Sequence, residues 1–135
     1  MFGHYLLFGG DCAAALEVYA RAFGGTVTEL RRYGDVPSPG FDVADEHRQW
    51  VLNARLVWDG SELMAADSVD RRAPGTNMYV SVATPDEALV RRAWTALSQD
   101  GTVYMALAPT FFAAAHGSLR DHFGVNWMFT ALRPR

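Results

Sequence analysis

Two polar side chains interrupt an otherwise apolar run: Asn53 and Arg55 lie within the segment from Trp50 to Trp58. Successive side chains of a strand alternate, so an amide and a guanidinium two residues apart share one face. A charge in such a place needs solvent, a carboxylate or a ligand. The pair is therefore a candidate for polar contacts to a bound molecule; the other use of Arg55 is a salt bridge at a dimer interface. Phe111 and Phe112 open a later loop, where two adjacent rings can flank a planar ligand or join a core. His122 follows Asp121 in a turn and is expected to be exposed. Cys12 begins a helix with no histidine beside it in sequence, so we read it as a small packing residue.

Absences narrow the chemistry further. The chain has no lysine, which excludes a Schiff-base lysine and a phosphate-loop lysine. One cysteine cannot form an internal disulfide or a cysteine-rich zinc site. The length of 135 residues suits one domain, and the formal net charge of −3 argues against a binder of nucleic-acid backbones. The doublets Arg31-Arg32, Arg71-Arg72 and Arg91-Arg92 read as solvated faces. No apolar run is long enough to span a membrane. The opening Met-Phe-Gly-His lacks a basic stretch and apolar run, so a cytoplasmic protein is expected. Isoleucine is absent and alanine abundant, the pattern of GC-rich coding.

These residues need elements to hold them. A strand is expected over His4 to Phe8, then a helix from Cys12 to Phe23 with Asp11 as its N-cap and Gly24-Gly25 as its stop. Thr26 to Tyr33 reads as a strand, and the aperiodic stretch Gly34 to Glu46 as a long loop. Trp50 to Trp58 and Glu62 to Ala66 pair through an Asp59-Gly60 hairpin turn. Strict alternation puts Leu52, Ala54 and Leu56 toward the helix, and Val51, Asn53, Arg55 and Val57 on the opposite face. Asp67 to Asn77 reads as a connector.

The pattern then restarts, with a strand over Met78 to Ala83. Thr84-Pro85-Asp86-Glu87 has the shape of a capping box with proline at the first helical position. Gly101 is expected to end that helix, before a strand over Thr102 to Leu107; a loop and two more strands fill Thr110 to Leu132. Gly25-Thr26-Val27 recurs as Gly101-Thr102-Val103, and Gly60-x-x-Leu63-Met64 as Gly124-x-x-Trp127-Met128. Two matches in the same order, each after the same kind of element, indicate a duplicated βαβββ module, 1–70 and 75–135, within one domain of residues 1–135.

Taken in order, these residues resemble the vicinal-oxygen-chelate superfamily of glyoxalases, bleomycin-resistance proteins and extradiol dioxygenases, and within it the PhnB-like branch. The resemblance rests on Phe8-Gly9-Gly10-Asp11-Cys12-Ala13, Tyr19, Phe23-Gly24-Gly25 and Tyr33-Gly34-Asp35. It continues through Gly60-Ser61-Glu62-Leu63-Met64-Ala65-Ala66-Asp67, Thr110-Phe111-Phe112 and Asp121-His122-Phe123-Gly124-Val125-Asn126-Trp127-Met128. It implies an α+β fold: two βαβββ modules forming a curved eight-stranded mixed sheet, with a ligand cavity on the concave side. Some relatives carry a ubiquinone-methyltransferase name, but no glycine-rich nucleotide loop follows the first strand here.

Metal-using members of the superfamily bind a divalent ion through His and Glu side chains. His4 falls where such relatives place their first histidine. Met64 and Met128 fall where carboxylates usually stand, and Asn53 replaces a histidine common among PhnB-like relatives. Thioethers and amides are poor ligands for a hard or borderline dication. The resemblance therefore implies a protein without the usual metal or other cofactor. It would bind a small apolar or planar molecule through His4, Asn53, Arg55, Met64, Tyr79, Phe111, Phe112 and Met128. The alternative is a metal-dependent lyase, isomerase or dioxygenase with displaced ligands: His4, His116 and Glu62 or Asp67. A homodimer is expected in either case, with no nucleic-acid or membrane partner.

Overall fold

The computed structural model describes residues 1, 3–36, 43–69, 75 and 77–134. Part of the long loop (37–42) and part of the connector (70–74 and 76) lie outside the described residues. Two compact units result, Met1–Arg72 and Ala73–Arg135. The first holds β1 (Tyr5–Phe8), α1 (Cys12–Phe23), β2 (Thr26–Arg32), β3 (Val51–Trp58) and β4 (Ser61–Asp67). The second holds β5 (Val80–Thr84), α2 (Glu87–Ser98), β6 (Thr102–Ala108), β7 (Ala115–Arg120) and β8 (Asn126–Ala131). Each unit is thus a βαβββ module with a four-stranded mixed sheet, ordered β1-β4-β3-β2 in one and β5-β8-β7-β6 in the other. β1 runs parallel to β4 and β5 parallel to β8, while the remaining pairs are antiparallel.

One face of each sheet is covered by its own helix. From α1, Cys12, Ala15, Leu16, Tyr19, Ala22 and Phe23 are buried, and Phe23 meets the Trp58 ring at 5.3 Å. Ala54 and Leu56 of β3 are buried with them, which turns Arg55 to the opposite, open face. In the second unit Leu89, Val90, Ala93 and Leu97 of α2 are buried. The Trp94 ring meets Phe129 edge-on at 5.8 Å, beside the buried Trp127.

The recurring Gly-Thr-Val has one steric cause in both units. A Cβ on Gly25 would come within 2.8 Å of the Val57 carbonyl oxygen, and one on Gly101 within 2.4 Å of the Arg120 carbonyl oxygen. Each glycine lets an antiparallel partner strand approach. Gly60 and Gly124 serve differently, supplying the positive φ of their hairpin turns at 72° and 90°. Asp59, also at positive φ, completes the expected Asp-Gly turn.

Local details depart from simple pattern reading. Val51 is fully buried rather than sharing the open face with Asn53. The register against β2 slips there, Arg31 facing Asn53 and Arg32 facing Val51, so alternation breaks. Asp86, not Thr84, is the N-cap of α2: its carboxylate accepts the Leu89 amide at 3.0 Å, and Pro85 stays outside the helix. Thr84 instead accepts the Asp86 amide through its hydroxyl. After α2 the left-handed residue is Asp100 (φ 55°), so Gly101 is required by close packing and not by helix termination.

Candidate functional site

The N-terminus of α1 is organised from a distance. Asp11 occupies the N-cap position without a side-chain hydrogen bond. The buried Asp67, at the end of β4, takes that role: its Oδ1 accepts the amides of Gly10 (2.8 Å) and Cys12 (3.0 Å), and its Oδ2 accepts the Val51 amide (2.9 Å). Helix termini leave amides that need such acceptors. The Tyr33 hydroxyl donates to the Asp67 carbonyl at 2.9 Å. Burial raises the Tyr33 pKa above its ordinary value, and Asp67 and Tyr5 add to the shift. Burial, reinforced by Asp67 and Asp11, pushes the Cys12 thiol up to about 12. Cys12 is thus a packing residue and not a nucleophile at neutral pH.

On the open face of the first sheet, Tyr5, Met64, Arg55 and Thr28 lie side by side across the four strands. Arg55 is not isolated there. Its Nε bonds Glu29 at 2.6 Å and its Nη1 bonds Glu62 at 2.5 Å, all three groups half-buried or exposed. Glu29 is held at φ 55° in the β2 bulge between Thr28 and Arg31. Two carboxylates on one guanidinium leave this trio with a net negative charge. Asn53 lies further along β3, opposite Arg31. His4 is exposed before β1, where its carbonyl accepts the Met64 amide at 3.2 Å. The apolar Tyr5, Leu7 and Val57 are also exposed.

The second sheet repeats the row as Ser81, Met128, Ser118 and Met105. Met64 and Met128 therefore hold equivalent register positions, both half-buried. Toward one end of β7, His116 Nδ1 lies 3.0 Å from Thr130 Oγ1, and the Phe112 ring stands edge-on to the imidazole at 5.0 Å. Phe111 contacts Phe112 edge-on and is 95% exposed. Toward the other end, Tyr79 meets Tyr104 edge-on at 6.2 Å, and the Tyr104 hydroxyl donates to Asn126 Oδ1 at 3.0 Å. Asn126 Nδ2 donates to the carbonyls of Gly75 and Met78. Arg120 lies over the Tyr104 ring, 6.0 Å from its centroid.

The structure thus brings Arg55 beside Met64, Phe112 beside His116, and Tyr79 beside Tyr104. Sequence reading passed over Arg120, Tyr104 and Asn126. The alternation of the polar His116, Ser118 and Arg120 with Gly117 and Leu119 was the available signal.

The carboxylates nearest these faces are already engaged by protein donors. Among the described residues no three His, Cys, Asp or Glu side chains converge. Both oxygens of Asp67 accept backbone amides, Glu62 is bound to Arg55, and the two methionines offer only thioethers.

The family model described as 3-demethylubiquinone-9 3-methyltransferase matches residues 2–130. The chain belongs to this PhnB-like family. Protein PA1353 from Pseudomonas aeruginosa is 32% identical, with a TM-score of 0.87 and coverage of 99% of this chain and 98% of that one. A Bacillus cereus structure, titled putative 3-demethylubiquinone-9 3-methyltransferase, PhnB protein, is 28% identical over 96% of this chain and 97% of its own, with a TM-score of 0.78. Protein YjdN of Escherichia coli is 25% identical over 96% of this chain and 93% of its own. In fold alone, this PhnB-like chain is similar to the fosfomycin resistance protein FosX from Listeria monocytogenes, at 7% identity and TM-score 0.62, covering 97% of this chain and 91% of FosX. Maize glyoxalase I, at 16% identity and TM-score 0.59, is matched by 96% of this chain over 44% of its own length. These neighbours are vicinal-oxygen-chelate proteins, and the α+β architecture described above is glyoxalase-like.

Proposed function

We propose that this PhnB-like protein binds a small apolar or planar molecule on an open sheet face, without a catalytic metal. One observation carries the reading: the carboxylates of Glu62 and Asp67 are already held by protein donors. Those faces also carry rings and thioethers, among them Tyr5, Met64, Tyr104 and Met128, with Tyr79 and Phe112 in ring contact beside them. Apolar surface with a few fixed polar groups is what small-molecule sites use. His4 and Asn53 are polar groups of the first unit, while Arg55 serves first to tie Glu29 to Glu62.

A thermal-shift screen of hydrophobic antibiotics and quinone-like aromatics tests the reading. A ligand at a hundred times its Kd stabilises by about 2.7 kcal/mol. No shift with any class would overturn it. So would stoichiometric zinc, nickel, manganese or iron in protein purified without chelator and lost on His4→Ala. S-adenosylmethionine belongs in the screen as well, because methyl transfer is the activity in the family's description; a shift with it would favour that chemistry instead.

We also propose a homodimer, on the ground that apolar side chains stand exposed on both sheets: Tyr5 and Leu7 on β1, Val103 and Met105 on β6. Sedimentation equilibrium at micromolar protein should give twice the chain mass of 14.9 kDa. A monomer throughout would count against the dimer and leave the ligand reading standing.

A further inference from the structure

The arginines Arg55 and Arg120, on the open faces of the two sheets, are partnered differently. On the first, Arg55 is outnumbered by Glu29 and Glu62. On the second, Arg120 has no ion pair among the described residues, and its Nε is buried without a hydrogen-bond partner. Asp121, the carboxylate next to it in sequence, is already committed: Oδ1 accepts the amides of Phe123 and Val125, and Oδ2 accepts the Trp127 indole N–H. A buried donor without an acceptor is costly, and a charged one more so.

Arg120 is also held in place from below. Its guanidinium lies over the Tyr104 ring at 6.0 Å from the centroid, Tyr104 is pinned through its hydroxyl to Asn126, and Asn126 is fixed by the Gly75 and Met78 carbonyls. The Tyr104 ring stands at the outer reach of a cation–π contact with the guanidinium, whose planar fork matches the two oxygens of a carboxylate. Along β7, the buried Ser118 and the half-buried His116 follow on the same face, with the half-buried Met128 and Thr130 opposite them. At about 3.3 Å per residue, Arg120 and His116 stand roughly 13 Å apart. That length accepts a charged head at Arg120 and a flat body over Met128, ending near Phe112.

We propose that Arg120, seated on Tyr104, receives the carboxylate of a small aromatic acid lying along β7. This rests on the small-molecule reading above and narrows its ligand to an anion. Isothermal titration of the full chain with 2-naphthoate and with the uncharged, near-isosteric 2-naphthamide separates the two. Wild-type protein should bind the acid at least about tenfold more tightly, the increment of one charge-assisted hydrogen-bond pair. Arg120→Gln should abolish the preference, while Arg92→Gln, which removes the same charge from an exposed site on α2, should keep it. If circular dichroism shows Arg120→Gln unfolded, Arg120→Lys decides: it keeps the charge but not the fork, and should lose most of the preference. Equal binding of acid and amide, or a preference that survives in the Arg120 variants, overturns the anion site and leaves the binding function intact. Failure of both probes and of every neutral aromatic overturns both.

Discussion

Asp67 Oδ1 accepts the backbone amide of Cys12 at 3.0 Å, across 55 residues of chain. The end of β4 thereby caps the start of α1, and through Val51 the same carboxylate anchors the start of β3. Three elements of the first module meet on one buried side chain.

Asp67→Ala should therefore be among the most damaging substitutions in the protein. It strands the amides of Gly10, Cys12 and Val51. With each orphaned buried group costing about 1–3 kcal/mol, partly relieved by entering water, a loss of roughly 3–5 kcal/mol is expected in urea unfolding. A loss below about 1 kcal/mol would mean that the carboxylate is not the organising acceptor. Asp67→Asn, which keeps one acceptor oxygen, should fall between.

Gly25→Ala and Gly101→Ala test the steric reading of the duplicated Gly-Thr-Val. The added methyl would meet a backbone carbonyl oxygen at 2.8 Å and 2.4 Å respectively, and backbone cannot rotate away as a side chain can. Overpacking of this kind costs about 1–3 kcal/mol, so both variants should melt at lower temperature, Gly101→Ala by more. Gly3→Ala, with nothing nearby, is the matched control and should be silent.

Cys12 should resist chemistry in the folded state. With its thiol pushed up to about 12, native protein should react negligibly with Ellman's reagent at pH 8 and release one equivalent only in denaturant. The same shift sets a pH dependence. In the unfolded chain the thiol ionises near its ordinary value of 9.0, while in the folded protein it holds its proton to about 12. Below pH 9 both states are protonated and stability is unaffected. Between those limits the unfolded state loses the proton first, so stability falls with rising pH, by at most about 1.4 kcal/mol per pH unit. Tyr33, also raised, acts in the same direction at its own alkaline range. Cys12→Ala should flatten the Cys12 part of that decline; an unchanged alkaline slope would assign it elsewhere.

Arg55→Met should cost little stability despite two short ion pairs. Its partners Glu29 and Glu62 are about half exposed, and such pairs are worth about 0.2–1 kcal/mol each, less in salt. Removing Arg55 also leaves two carboxylates facing each other, so the deficit should shrink as salt rises. A loss well above about 2 kcal/mol, insensitive to salt, would show that the trio supports the fold rather than decorating the open face.

Much of the architecture was written locally. The limits of α1 follow from Cys12 to Phe23 being good helix formers and from Gly24 accepting a left-handed turn at φ 74°. Asp59-Gly60 specified its hairpin for the same backbone reason, and the spacing of the two Gly-Thr-Val and Gly-x-x-x-Met repeats exposed the duplication. Periodicity also placed Asn53 and Arg55 opposite the helix-facing Ala54 and Leu56.

What the chain order could not disclose depends on partners distant in sequence. Nothing near Asp67 shows that it serves amides at positions 10, 12 and 51, and Asp11 looked like the better cap because it stands next to the helix. Val51 left its expected face because a register slip against β2 overrides alternation, and a slip arises from two strands together. Arg55 and Arg120 are the same residue type on equivalent faces, yet one is held by two carboxylates and the other lies on a tyrosine ring without an ion pair among the described residues. Residue type fixed which groups can carry charge; only folding, by deciding which neighbours solvate that charge, distinguished a structural cation from a candidate for binding.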